Sequence, residues 1–218
     1  LTVGATIRCG REALVVSFCL ENRRFNDRLQ EEDMTRMIPY VALGAAAFLV
    51  AGVASASTVV LGGGYANECS DAALGGRSDD RAVVVCTTAL ELETLSFRDR
   101  ARTHVNRGVL QMRQRQFEAA RADFDQASSI DPDLGEAYVN RGATLVGEAR
   151  YHEGVAQIDK GLSLGVKDPE RALFNRALAH EGLGDLRAAY LDYAKAAELN
   201  PEWAAPKTEL ARFTVKRP

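Results

Sequence analysis

No surplus of positive charge runs through this chain: 27 basic against 30 acidic residues leave a formal net charge of −3 over 218 residues. That balance, with no basic stripe and no interleaved aromatic platform, argues against a nucleic-acid surface. Long apolar runs are scarce too. The run from Ile38 to Val53 is rich in Ala and Gly and falls short of the roughly 20 residues that a spanning helix needs. Cysteine occurs four times, at positions 9, 19, 69 and 86, without the C-x-x-C spacing of a metal or redox site. The three histidines, His104, His152 and His180, are scattered. His180-Glu181 lacks the second histidine that a zinc helix places four residues after the first; Gly184 stands there. Gly62 to Gly64 are not followed by Lys-Ser/Thr, which excludes a phosphate-cradling loop. No G-x-S-x-G occurs, and the acidic pairs Asp79-Asp80 and Asp131/Asp133 fall in turns. These absences leave no constellation for catalysis and predict neither metal nor cofactor.

What is present is a pattern. Between Glu170 and Pro201, Leu173, Ala177 and His180 recur at helical spacing, and after Gly182-Leu183-Gly184-Asp185 so do Leu186, Ala189, Tyr193 and Ala196. Small residues at Ala177, Ala189 and Ala196 let two paired helices approach closely, with Leu173 and Tyr193 as bulk between them. Pro201 ends the second helix, because proline lacks the amide that continues the ladder. One such hairpin cannot bury its apolar faces alone, so copies are expected. They are found upstream. Asn106, Asn140 and Asn175 share a column, as do Arg107, Arg141 and Arg176, then Gly108, Gly142 and Ala177. Phe117, Tyr151 and Leu186 align next, then Ala120, Gly154 and Ala189. Phe124, Ile158 and Tyr193 follow, then Ala127, Gly161 and Ala196. The period is 34 from Asn106 to Asn140 and 35 from Asn140 to Asn175.

Small, small, aromatic, small, proline at that period resembles the tetratricopeptide repeat family from about Ala101 to Pro201. The resemblance implies an all-α fold, a right-handed helical-hairpin solenoid of about three and a half repeats with a C-terminal cap helix. Repeats are expected at 101–134, 135–169 and 170–203, with a half repeat at 81–96 and a cap helix and tail at 204–218. The middle copy departs most: Gly154 and Gly161 are weak helix formers and Val166 replaces the proline, which predicts a shorter, looser second helix. In the half repeat, Ala82, Cys86 and Ala89 have the spacing of Ala120, Phe124 and Ala127, and Ser96 or Asp99 is expected to cap the helix that follows. The arginine column should lay its stems along the helices and pair its heads with carboxylates such as Asp123 or Asp125. In the cap, Trp203, Leu210, Ala211 and Phe213 are expected on one face and Lys207, Arg212, Lys216 and Arg217 on the other.

Stacked hairpins of this family line a concave groove with their first helices. Carried over column by column, the groove takes Arg102, Val105, Asn106, Val109, Met112 and Arg113 from the first copy. The second contributes Glu136, Val139, Asn140, Ala143 and Val146, and the third Arg171, Phe174, Asn175, Leu178 and Glu181. The floor is mostly apolar, crossed by three asparagines and edged with arginines. An amide donates and accepts at once, so it can pair with any peptide backbone; the same column could instead tie neighbouring repeats together. Some relatives grip the terminal carboxylate of chaperones with Lys and Arg in this groove. Here Val105, Val109 and Asn175 stand at positions of that clamp, which speaks against that ligand.

The front of the chain reads differently. Residues 1–33 match nothing that follows. Met34 opens a positive n-region, the apolar run, and Ala54-Ser55-Ala56, the layout of a secretory signal peptide over 34–56. The alternative is a retained membrane anchor after a genuine N-terminal tail. Cys69 follows Ala66-Asn67-Glu68, so there is no lipobox. Residues 57–80 read as a linker with a short helix near Asn67 to Leu74. Cys86 takes the column where a hairpin core holds an aromatic, and Cys69 would face it from the preceding helix. In an exported protein the two are expected to pair; in a cytosolic one they would be two buried thiols. The chain thus resembles the short exported repeat proteins of bacteria. That resemblance implies a non-catalytic module binding a protein or peptide in the periplasm. A membrane-anchored scaffold subunit using its convex face is the other reading.

Overall fold

The computed structural model describes Ser57 and residues 64–214. The expectations for residues 1–33, the signal segment 34–56, Cys9, Cys19, Lys216 and Arg217 lie outside those residues. Among the described residues the fold is all-α. Its helices are α1 (Tyr65–Leu74), α2 (Asp80–Leu92), α3 (Phe97–Arg113), α4 (Phe117–Ile130), α5 (Gly135–Gly147), α6 (Tyr151–Leu164), α7 (Pro169–Gly182), α8 (Leu186–Leu199) and α9 (Ala204–Leu210). Consecutive helices pair as α1·α2, α3·α4, α5·α6 and α7·α8, each pair packs on the next, and α9 lies against α8. The first helices α1, α3, α5 and α7 also touch in series, which the second helices do far less. The first helices therefore form the inner side of the stack. No described helix is long and apolar enough to cross a membrane.

Packing follows the repeat columns. Phe124, Ile158 and Tyr193 are each fully buried between the helices of their hairpins, beside Ala120, Ala127, Ala189 and Ala196. The middle copy does not shorten: α4, α6 and α8 are each 14 residues long. Its glycines mark where the helices come closest. A Cβ on Gly142 would lie 2.6 Å from Ile158 Cγ1 and 2.8 Å from the Gly154 carbonyl oxygen, and one on Gly161 2.5 Å from Val139 Cγ2. Backbone contact between α5 and α6 offsets the weak propensity of glycine, which amounts to about 1 kcal/mol per residue.

The turns share a second regularity. Arg115, Ala149 and Gly184 occupy one column, and all three have left-handed backbone, with φ of 63°, 60° and 77°. The turn geometry imposes this on whatever residue stands there, and only the third copy has the glycine that adopts it without a Cβ penalty.

The expected half repeat is a complete hairpin. The short helix expected near Asn67 to Leu74 within the linker is present as Tyr65–Leu74, and it places Ala66, Cys69 and Ala73 on one face, all at 0% exposure. Cys69 and Cys86 form a disulfide that closes a separation of 17 residues, a constraint of about 3 kcal/mol on a loop-entropy account. Gly64 offers no side chain to cap α1. Glu93 does so from the end of α2, accepting from Tyr65 N at 2.6 Å and Ala66 N at 3.0 Å. Ser96 caps α3, accepting from Asp99 N at 3.1 Å, as the sequence predicts. The cap helix ends early, at Leu210. Trp203, Leu210 and Phe213 pack on the third copy, whereas Ala211 is exposed and Arg212 turns inward to Glu181 at 2.8 Å.

The arginine column pairs with carboxylates in every copy. Arg107 grips Asp123 with two bonds of 2.8 Å, and Arg176 grips Asp192 with two of 2.7 Å and Asp159 with one of 2.6 Å. Arg141 reaches back one hairpin to Asp125 at 2.6 Å. His104 Nδ1 lies 2.8 Å from Asp123, whose side chain is 4% exposed. Burial pushes the Asp123 carboxyl up, but hydrogen bonds from His104 and Arg107 outweigh it and hold the group below its usual range.

Two single exchanges in the middle hairpin have opposite expected signs. Gly142→Ala places a methyl against backbone and lowers stability by about 1–3 kcal/mol, whereas Ala149→Gly relieves the left-handed turn and raises it by about 1 kcal/mol; urea denaturation reads both. For Asp123 the folded pKa is depressed, so its contribution is full above the unfolded value near ~4 and is lost as pH falls through the folded value. Asp123→Asn therefore costs on the order of 3 kcal/mol at pH 7, and the gap to wild type narrows in denaturation curves taken toward pH 3.

Candidate inner-face binding site

Helices α3, α5 and α7 carry the residues expected to line a groove, and their spacing sets them on the inner side of the stack. Ten of them are buried: Val105, Asn106, Val109, Met112, Val139, Asn140, Ala143, Val146, Phe174 and Asn175. Val105, Val109, Met112 and Ala143 belong to one apolar cluster with Phe124 and Ala137. Val139 and Val146 join Ile158 and Ala172 in the next. The three asparagines are 0%, 0% and 1% exposed, and each is engaged in a polar interaction. These amides thus sit in the interior, at the level of the apolar floor.

The remaining six are partly exposed: Arg102, Arg113, Glu136, Arg171, Leu178 and Glu181. The two carboxylates hold the stack together. Glu136 accepts from Lys167 N, in the turn that leads from α6 into α7, at 3.2 Å. Glu181 accepts from Tyr193 Oη at 2.7 Å and from Arg212 Nη2 at 2.8 Å. Burial and the neighbouring Glu181 charge push the Tyr193 phenol far above its ordinary range, so it stays a donor. The sequence alone did not show this role for Glu181, because its partner Arg212 lies beyond the last repeat.

The arginines are set differently. Arg102 has Asp99 at 3.9 Å, and Arg171 has Asp168 at 3.8 Å with its side chain 42% exposed. Arg171 also lies over the Trp203 ring at 5.9 Å. Arg113 donates through Nη1 to the carbonyl oxygens of Ala73 and Arg77, at 2.8 and 3.2 Å. Burial pushes its pKa down, and the positive charge of Arg171 pushes it further. Arg102 and Glu136 meet at a depression of about 410 Å³ that Phe97, Asp131 and Leu134 also line. Among the described residues no group of three or more His, Cys, Asp or Glu could hold a metal ion.

Comparison with known proteins agrees with this architecture. Residues 101–134 and 170–202 match the tetratricopeptide repeat family model. The small glutamine-rich tetratricopeptide repeat-containing protein 2 of Mycosarcoma maydis is 38% identical over 64 residues, which span 29% of this chain and 17% of that protein. Among solved structures, the OM64 TPR domain of Arabidopsis superposes with a TM-score of 0.50 at 19% identity, covering 54% of this chain and 96% of that one. A MamA double mutant, RS-1 ArsTM, gives 0.52 at 18% identity, covering 67% and 79%. At such identities the likeness is one of fold. The period, the hairpin columns and the two matched copies identify α3–α4 and α7–α8 as members of the tetratricopeptide repeat family.

Proposed function

We propose that the chain is a non-catalytic protein-binding module whose inner face, on α3, α5 and α7, takes an acidic peptide segment of a partner. The observation that carries this reading is the charge at the open edge of that face. Arg102, Arg113 and Arg171 supply cations there, while Glu136 and Glu181 are held by Lys167 N, Tyr193 and Arg212. A carboxylate of the partner at this edge would pair with these guanidinium groups. Leu178, partly exposed, offers apolar surface beside the charges.

The Cys69–Cys86 disulfide supports an oxidising compartment, since structural disulfides are rare in reducing cytosol. With the signal-peptide layout of residues 34–56, it favours the bacterial periplasm. Mass spectrometry of the mature N-terminus tests this: a chain that still carries residues 1–33 contradicts export by cleavage.

The groove reading is tested by fluorescence anisotropy with a labelled glutamate- and aspartate-rich octapeptide and its glutamine/asparagine counterpart. The acidic peptide is expected to bind more tightly, less so at high salt, and Arg102→Gln with Arg171→Gln together should weaken it at least about tenfold. Equal binding of both peptides, or binding that ignores the two exchanges, rejects an acidic ligand.

A further inference from the structure

The three matched and intervening hairpins α3–α4, α5–α6 and α7–α8 each hold a bulky wedge between their helices, Phe124, Ile158 or Tyr193. The first hairpin has Cys86 in that column. The rest of its seam is mostly small, with Ala66, Ala72, Ala73, Ala82 and Ala89 all at 2% exposure or less, and Val85 is the bulkiest buried side chain that α2 adds to the cysteine cluster. Helix α1 has only 10 residues, too few to stand without its packing. The disulfide therefore takes the place of the wedge, and the contact of α1 with α2 depends on it.

Helix α1 in turn holds the end of α3. The carbonyl oxygens of Ala73, in its last turn, and Arg77, just beyond, accept from Arg113. In the same turn Gln114 Nε2 donates to the Ser78 carbonyl and the Asp80 carboxylate, each at 3.0 Å. Leu110, fully buried, packs in the cluster of Cys69 and Cys86. The route from the sulfurs to Arg113 is thus short and made of named contacts.

We propose that the first hairpin is a redox-conditional end wall of the inner face, which holds Arg113 in place only while Cys69 and Cys86 are joined. This rests on the acidic-peptide reading for its effect on affinity. The agent is a dithiol reductant. One of its thiolates attacks a cysteine sulfur and breaks the S–S bond, the other cysteine leaving as a thiolate that takes a proton. The second thiol of the reductant then displaces the first cysteine, so the protein gains two thiols and the reductant becomes a disulfide. Both cysteines are 0% exposed, so attack occurs on molecules whose first hairpin has opened locally. Once the bond is gone, the α1 seam is left with its alanines, Val85, Leu110 and the Glu93 cap, and where it opens Arg113 loses the two carbonyls that position it.

The test uses the full chain with Cys9→Ser and Cys19→Ser, so that only this bridge responds to reductant. Hydrogen exchange over residues 65–92 is measured with and without a dithiol, alongside anisotropy with the acidic octapeptide. Reduction is expected to lower protection over 65–92 at least about tenfold while 117–199 changes little, and to weaken the peptide severalfold. In Arg113→Gln the affinity is expected to be the same in both redox states although the hairpin still opens. Retained protection after reduction overturns the proposal, as does lost protection with unchanged affinity. Absence of acidic-peptide binding in both states overturns the groove reading itself, and the exchange data then decide alone whether the bridge holds the hairpin.

Discussion

Close approach of paired helices is the constraint on which the rest of the stack depends. Two helices can bring their backbones together only where neither carries a Cβ that collides, and the chain meets this with alanine or glycine at fixed columns. At Gly108 an added Cβ would stand 2.6 Å from the Phe124 ring, so the glycine and the aromatic are one feature seen from two sides. The middle hairpin follows the same rule with less bulk. There Ile158 replaces the aromatic, and Gly142, Gly154 and Gly161 let the backbones close the remaining space. Packing thus overrides propensity, since dispersion and apolar burial along a 14-residue interface exceed the cost of two helical glycines.

What could be read from the sequence was what repeats. The columns, the period, the arginine–carboxylate pairs and the cap at Ser96 all follow from spacing and side-chain chemistry within about one hairpin. Helix α1 was legible only as a fragment, because its apolar face consists of alanine and one cysteine and its capping carboxylate, Glu93, comes from 28 residues away. The left-handed turn column was hidden for a different reason: Arg115 and Ala149 carry none of the residue types that announce such a backbone, and only Gly184 does. The expected groove residues divide on the same principle. Spacing placed all of them on first helices, but whether a glutamate points at a ligand or at Arg212 depends on a segment outside the repeat, which no column alignment contains.

Charge plays two separable parts here. Between the helices, Asp123 and Asp192 lie buried beneath Arg107 and Arg176. Each paired aspartate satisfies a bidentate guanidinium, so the cost of desolvating one charge is offset only while the other is present. Such pairs fix register better than they add stability, because a sliding hairpin would strand both charges. On the inner side Arg171 lies 3.8 Å from Asp168 and keeps its side chain 42% exposed, and Arg113 is held by backbone carbonyls of the first hairpin.

The two ends of the described stack are closed in contrasting ways. At the C-terminal end, Phe174 meets Trp203 at 4.9 Å and Tyr193 at 5.3 Å, and Phe213 lies on Tyr190 and Tyr193 at 5.8 and 6.1 Å. Aromatic area makes that seal, and α9 need be only seven residues long because Trp203 and Phe213 flank it. At the other end the first hairpin has no such area and is closed by a covalent bond. An aromatic seal is indifferent to redox conditions, whereas a disulfide is not. The asymmetry places the chemically responsive end of the stack beside Arg113, and leaves the end that supports Arg171 governed by aromatic packing and the hydrogen bonds of Glu181 to Tyr193 and Arg212.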